Sequence, residues 1–148
     1  MRPFRWMEHL AAVTLTVEGH SMEPTHHQGD RVRMSRLAYW WRDPRRGDVV
    51  VVRVPAHPHR LELKRIIGLP HETISWVGGQ FQIQQHVLQE PYANIRPSPP
   101  GDEPQTVALG ADQYVVVGDN RLHSDDSRLY GPVTRSAILG PILSYGKE

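Results

Sequence analysis

The apolar residues of this chain fall in short runs rich in Val, Ile and Thr, each closed by Gly, Pro or Asp. A helix needs apolar residues recurring at i, i+3, i+4 and i+7, whereas short β-branched runs between breakers suit strands. The pattern predicts strands near 12–18, 30–35, 47–54, 61–67, 72–77, 80–88, 104–109, 113–117 and 137–143. In "ETISWVGGQFQIQQHVL" the Gly78-Gly79 pair separates two alternating segments. Both glycines can take positive φ, so it marks a tight hairpin turn. The prolines of "RPSPPGDEP" (96–104) cannot donate to a ladder, and an exposed loop is expected there. The expected fold is therefore all-β and mainly antiparallel. One domain spans 1–148, with a core from about 12–71 and 112–148 and a hairpin-rich β subdomain inserted at about 72–111. A chain of 148 residues is long enough to bury one such core.

Composition narrows the function. The formal net charge is +1 and the basic residues are scattered rather than striped, so no nucleic-acid partner is expected. Arg42, Arg45 and Arg46 come nearest to a basic cluster and read as a solvated loop. Without cysteine there is neither a disulfide nor a thiolate metal site. "MRPFRWMEHLAAVTLTVEG" carries Arg2, Arg5, Glu8 and Glu18, and its apolar runs fall far short of the roughly 20 residues that cross a bilayer. Neither a membrane span nor a cleavable export signal is expected in this chain. Trp and Tyr favour the depth of the membrane interface. "LAYWW" (37–41) accordingly reads either as a peripheral membrane contact or as core.

Three segments hold candidate chemistry. The chain uses Arg fifteen times and Lys twice, and Lys147 lies next to the C-terminus, so the interior Lys64 in "LELKRIIG" stands out. Arginine stays protonated at any ordinary pH, whereas a desolvated lysine can lose its proton and act as a base. A free lysine titrates near 10.4, so that role requires the charged form to be disfavoured. The apolar neighbours Leu61, Leu63, Ile66 and Ile67 are expected to supply the desolvation; an ammonium pointing into bulk solvent, or paired with a carboxylate that locks its charge in place, would exclude the role. "VEGHSMEPT" places Ser21 in a sharp turn after a strand, able to present a hydroxyl while the turn's amides face a bound carbonyl. "GDNRLHSDDSRLYG" follows the apolar "YVVV", and Gly118 with Asp119-Asn120 marks a side-chain-bonded turn. Taken singly, each has a plain structural reading: a surface lysine, an ordinary strand-to-loop turn, a solvated loop.

Together, "SMEPT", "RRGDVVVVRVP", "KRIIGLP" and "GDNRLHSDDSRLYGPV", in this order from about Val17 to Leu143, resemble the boxes of the type I signal peptidase family. "EPY" at 90–92 resembles the start of that family's insertion. The resemblance implies a signal-peptidase-like β fold and a serine endopeptidase that cleaves signal peptides after small residues (Ala-X-Ala) through an acyl-enzyme, without cofactor or metal. Ser21 would be the nucleophile and Lys64 its general base. Ser124 would orient the lysine, Asp126 and Arg128 would form a supporting ion pair, and Gly118, Asp119 and Asn120 would support the turn. The Ser21 N–H would donate to the oxyanion, with Gly19 standing where some members carry a helping hydroxyl. Val17, Glu18, Gly19, Met22 and Leu63 would line the path of an extended substrate. The implied partners are signal peptides of exported preproteins and, peripherally, a membrane, at the outer face of the cytoplasmic membrane.

The chain departs from the family pattern in three places. His71-Glu72 follows "GLP" where Gly-Asp is usual, His20 precedes the nucleophile, and no membrane span stands before the serine box. Other readings stay open: a self-cleaving repressor-type protease, a dedicated maturation protease, an inactive peptide-binding β domain, and a Ser21, His123, Asp126 triad. His26-His27 and His57-Pro58-His59 lack the spacing of a metal site.

Overall fold

A computed structural model describes residues 10–143; Arg2, Arg5, Glu8 and Lys147, and the expectations placed on them, lie outside the described residues. Eleven strands run through it: β1 (Ala12–Thr16), β2 (Arg31–Ser35), β3 (Val49–Val54), β4 (His57–Gly68), β5 (Thr73–Val77), β6 (Gln80–Ile83), β7 (His86–Val87), β8 (Gln105–Ala108), β9 (Gln113–Val117), β10 (Val133–Thr134) and β11 (Ile138–Pro141). Two single-turn helices, α1 (Ala38–Trp41) and α2 (Ser127–Tyr130), complete the described residues with a 3-10 turn at Arg135–Ala137. The strands pair antiparallel into sheets ordered β1-β2, β10-β9-β4-β3-β11 and β7-β6-β5-β8. The fold is all-β and mainly antiparallel, as the β-branched runs predict.

The apolar runs of β9 and β4 do not alternate with polar residues because both faces of their sheet are covered. Val116 and Tyr114 join Val50, Val52 and Ile66 in one cluster. Val115 and Val117 join Ile67, Ile74 and Phe81 in a second, beneath the four-stranded sheet. The period of two still operates, but it sorts apolar side chains between two cores.

Several expectations shift in detail. The strand expected at 61–67 begins at His57, after a turn at Pro55-Ala56. Pro58 is tolerated because the register against β3 jumps from Arg53↔Leu61 to Val54↔His57, so 58–60 bulge out of the ladder. The stretch 80–88 breaks into β6 and β7 at Gln84 and Gln85, both with positive φ. At the β5–β6 turn only Gly78 takes positive φ, at +59°. Gly79 is needed for space, since a Cβ there would lie 2.7 Å from Arg121 Cβ. His71, in the place of the usual Gly, adopts φ +67°, and Glu72 takes over the turn by accepting from Leu69 N and from both Arg46 Nη atoms. "LAYWW" divides. Ala38 is buried and Tyr39 packs on the first core, while Trp40 is 77% exposed. No helix among the described residues is long and apolar enough to cross a membrane.

What positions the site is the parting of β4 and β9. β4 pairs with β3 over most of its length, but with β9 only from Arg65 to Gly68. At Gly118 the chain leaves the sheet, opening β4 at the level of Lys64. Buried ion pairs fix the departing segment. Arg65 holds Asp119 through two bonds of 2.8 and 2.7 Å, and Arg121 holds Glu90. Asp126 caps α2, accepting from Arg128 N and, through both oxygens, from the Arg128 guanidinium. Burial works to raise the Asp126 carboxyl's pKa, but hydrogen bonds and charge from Arg128, with the Gly118 N–H and Ser124 hydroxyl, outweigh it and hold it below the usual range.

Two stability predictions follow from this packing. Phe81→Ala removes a fully buried ring from the second core and is expected to cost about 3–5 kcal/mol by urea denaturation. Asp126→Asn keeps a capping side chain but loses the charge, and is expected to cost about 3 kcal/mol near pH 7. A depressed carboxyl contributes above its unfolded pKa of about 3.9 and loses that contribution as pH falls through the lower folded value. The gap between parent and variant therefore closes in acid; a gap constant with pH would contradict this account.

Candidate active site

Ser21 sits in the loop that leaves β1. Val17 N donates to Asp30 O and Gly29 N to Val17 O, closing the loop 17–30 at its base. Gly19 takes φ +76°, a left-handed conformation that glycine enters without a side-chain clash. The polar turn at 118–120 then grips the serine loop: Asn120 N donates to Ser21 O at 2.9 Å and Asn120 Nδ2 to His20 O at 3.1 Å. Thr25 Oγ1 donates to Asp119 Oδ2 at 2.5 Å. Gly118 cannot be larger, because a Cβ would lie 2.6 Å from Ser21 O and 2.2 Å from Ser124 Oγ.

This grip brings Ser21 to the part of β4 that β9 has left exposed. Lys64 Nζ donates to Ser21 Oγ at 3.2 Å, inside the reach expected of a nucleophile and its base. The lysine is only 2% exposed. Its cover differs from the expected one. Val50 lies opposite on β3 and Ile66 shares its strand face, whereas Leu61 is half-exposed. Val17, Glu18, Gly19, Met22 and Leu63 all line one cleft of about 630 Å³ with Ser21 and Lys64. Among the described residues two strand edges border it, since there β1 pairs only with β2, and β4 has no β9 partner before Arg65. Among the described residues the Ser21 N–H has no acceptor.

Ser124 lines the same cleft, but its hydroxyl donates to Asp126 Oδ2 at 2.8 Å and makes no bond to Lys64. The hydroxyl thereby contacts the carboxylate that organises the turn. Asp126 and Arg128 do form their ion pair. Asp119 is a fully buried counter-ion for Arg65, whose guanidinium also stacks 3.8 Å over the Tyr92 ring. His123 lines the cleft without bonding Ser21 or Asp126, so no triad forms. Among the described residues no three His, Cys, Asp or Glu side chains are gathered to hold a metal ion.

One residue at this site was passed over in the sequence. Glu62, 11% exposed, places Oε2 3.2 Å from Lys64 Nζ and Oε1 2.8 Å from Arg60 Nε. Oε2 makes no aligned hydrogen bond, so its contact with the amine is one of charge and proximity. The signal was present: Glu62 and Lys64 are two apart on a strand and must share a face.

The match to the family described as "Signal peptidase, peptidase S26" covers residues 6–145. The chain is 35% identical to the signal peptidase I of Leptolyngbya laminosa, over 84% of this chain and 63% of that protein. It is 33% identical to the mitochondrial ATP-independent inner membrane protease subunit 1b of Arabidopsis thaliana, over 84% of this chain and 64% of that one. It thus spans under two thirds of the length of either relative. The crystal structure of a signal peptidase I from Enterococcus faecalis V583 superposes with a TM-score of 0.58 at 28% identity, covering 70% of this chain and 98% of that one. With its boxes in order and its strands arranged around a paired serine and lysine, the chain belongs to the signal peptidase family.

Proposed function

We propose that this chain is a serine endopeptidase that cleaves signal peptides of exported preproteins after small residues of the Ala-X-Ala type, with Ser21 as nucleophile and Lys64 as general base. The observation that carries the reading is the 3.2 Å contact between Lys64 Nζ and Ser21 Oγ inside a cleft bordered by free strand edges. An extended peptide enters as an added strand between the β1 and β4 edges, its small side chains against Val17, Met22 and Leu63. As Ser21 Oγ attacks the scissile carbonyl, its proton passes to Nζ. The ammonium returns that proton to the leaving amine, and the acyl-enzyme remains. Lys64 next takes a proton from the incoming water as its oxygen adds to the acyl carbon; the C–Oγ bond then breaks, the ammonium returns the proton to Oγ, and the acid product leaves and ionises to the carboxylate. The carbonyl oxygen develops charge beside the Ser21 N–H, a fixed main-chain donor of the kind worth several kcal/mol in such steps. Lys64 is enclosed by the fold, and the Glu62 carboxylate lies 3.2 Å from its amine.

The reading treats the chain as one catalytic domain with the β5–β8 sheet inserted into its core, and requires no cofactor. It places the domain at the outer face of the cytoplasmic membrane, with Trp40 and Trp41 as a peripheral contact. A second reading, a maturation protease for one dedicated precursor, is favoured by the likeness to a mitochondrial inner membrane protease subunit. A panel of Ala-X-Ala peptides against one unrelated precursor sequence separates the two. Ser21→Ala and Lys64→Arg should each fold normally and lose cleavage by at least about a hundredfold. An unchanged rate for Lys64→Arg would exclude the serine–lysine mechanism, and a parent with peptide affinity but no turnover would be a binding domain.

A further inference from the structure

The cleft contains a buried carboxylate that the serine–lysine mechanism does not use. Glu62 Oε2 lies 3.2 Å from Lys64 Nζ, shielded from solvent and without an aligned hydrogen bond, while Ser21 Oγ lies 3.2 Å from the same nitrogen. Nζ is thus flanked by the alcohol whose proton it would accept and by an anion facing the charge that acceptance creates. Ser124, expected to steady the lysine, is committed to Asp126. We propose that Glu62 is a positioning residue for Lys64, fixing Nζ toward Ser21 and stabilising the ammonium that forms when the serine proton is transferred. The inference rests on the reading of Ser21 and Lys64 as nucleophile and base.

A carboxylate beside an amine favours its charged form, so Glu62, 3.2 Å from Nζ, would stabilise the ammonium generated as Oγ attacks. Other charges face this pair. On β4, Arg60 shares the Glu62 carboxylate from an exposed position. From α2, the buried Tyr130 phenol has no hydrogen-bond partner, and burial together with the Glu62 and Asp126 charges pushes it up. Asp126 is held by Arg128, and His20 pairs with Glu23 at the serine turn. His123 and Asp125 line the mouth of the cleft. None of the bonds made by these groups occupies Oε2.

The test is the pH dependence of cleavage of an Ala-X-Ala peptide by the parent, Glu62→Gln, Arg60→Gln and Lys64→Arg. Glutamine keeps the shape of Glu62 and removes its charge. Its profile should cross that of the parent, about tenfold faster at the acid end and slower on the alkaline plateau, since an uncharged amide does not favour an ammonium beside it. Arg60→Gln, at a position 61% exposed, leaves the carboxylate less neutralised and should move the rise the opposite way by a smaller amount. A purely structural role would scale every rate together without moving the profile. Superimposed or merely scaled profiles in an active parent that Lys64→Arg silences overturn the role of Glu62 and leave the serine–lysine reading standing. An inactive parent overturns both. Should Glu62→Gln fail to fold, Arg60→Gln decides: an alkaline displacement supports the proposal and an unmoved profile overturns it.

Discussion

An amine removed from water must find partners among the groups that displaced the solvent. At Lys64 those partners are two oxygens, one from the serine loop and one from its own strand. Much of the surrounding structure keeps this arrangement in place. β9 must leave the sheet at Gly118 to open β4, the 118–120 turn must grip the serine loop, and Gly118 must lack a side chain to let Ser21 O come close.

Charges that would be costly alone are used here as fasteners. Removing one partner of a buried ion pair leaves the other uncompensated, which makes such pairs good at fixing geometry even where they add little net stability. Arg65 links the strand that carries Lys64 to Asp119 in the gripping turn, and Arg121 links the same turn to Glu90 ahead of the proline loop. Asn94 N donates to Asp119 O, so the segment before that loop is tied to the turn through its backbone as well. The connection between β7 and β8 therefore buttresses the 118–120 turn.

Most strands were legible because β-branched runs bounded by breakers leave the backbone few alternatives. The Val-rich β3 and β9 needed no alternation to be recognised. The helices at Ala38–Trp41 and Ser127–Tyr130 have only four residues, too few to establish a helical period. The bulge at 58–60 depends on a register change that local propensity does not encode. At the site, motif order pointed to Ser21 and Lys64, and the structure brings them together. The Ser124 hydroxyl donates to Asp126 two residues on, a contact that exists only once the turn has folded. Glu62 is hard to read from sequence neighbours alone, because on a strand a face is shared with every second residue rather than with the adjacent ones.

The two bare edges of the cleft have a consequence beyond peptide recognition. Main-chain groups that lack partners among the described residues do not distinguish one polypeptide from another, so on the proposed reading selectivity would come from side-chain contacts in the cleft. Any unfolded chain able to straighten beside β1 or β4 satisfies the same ladder. The feature that makes the groove receptive also makes a crowded, unoccupied population of these molecules prone to stick to one another.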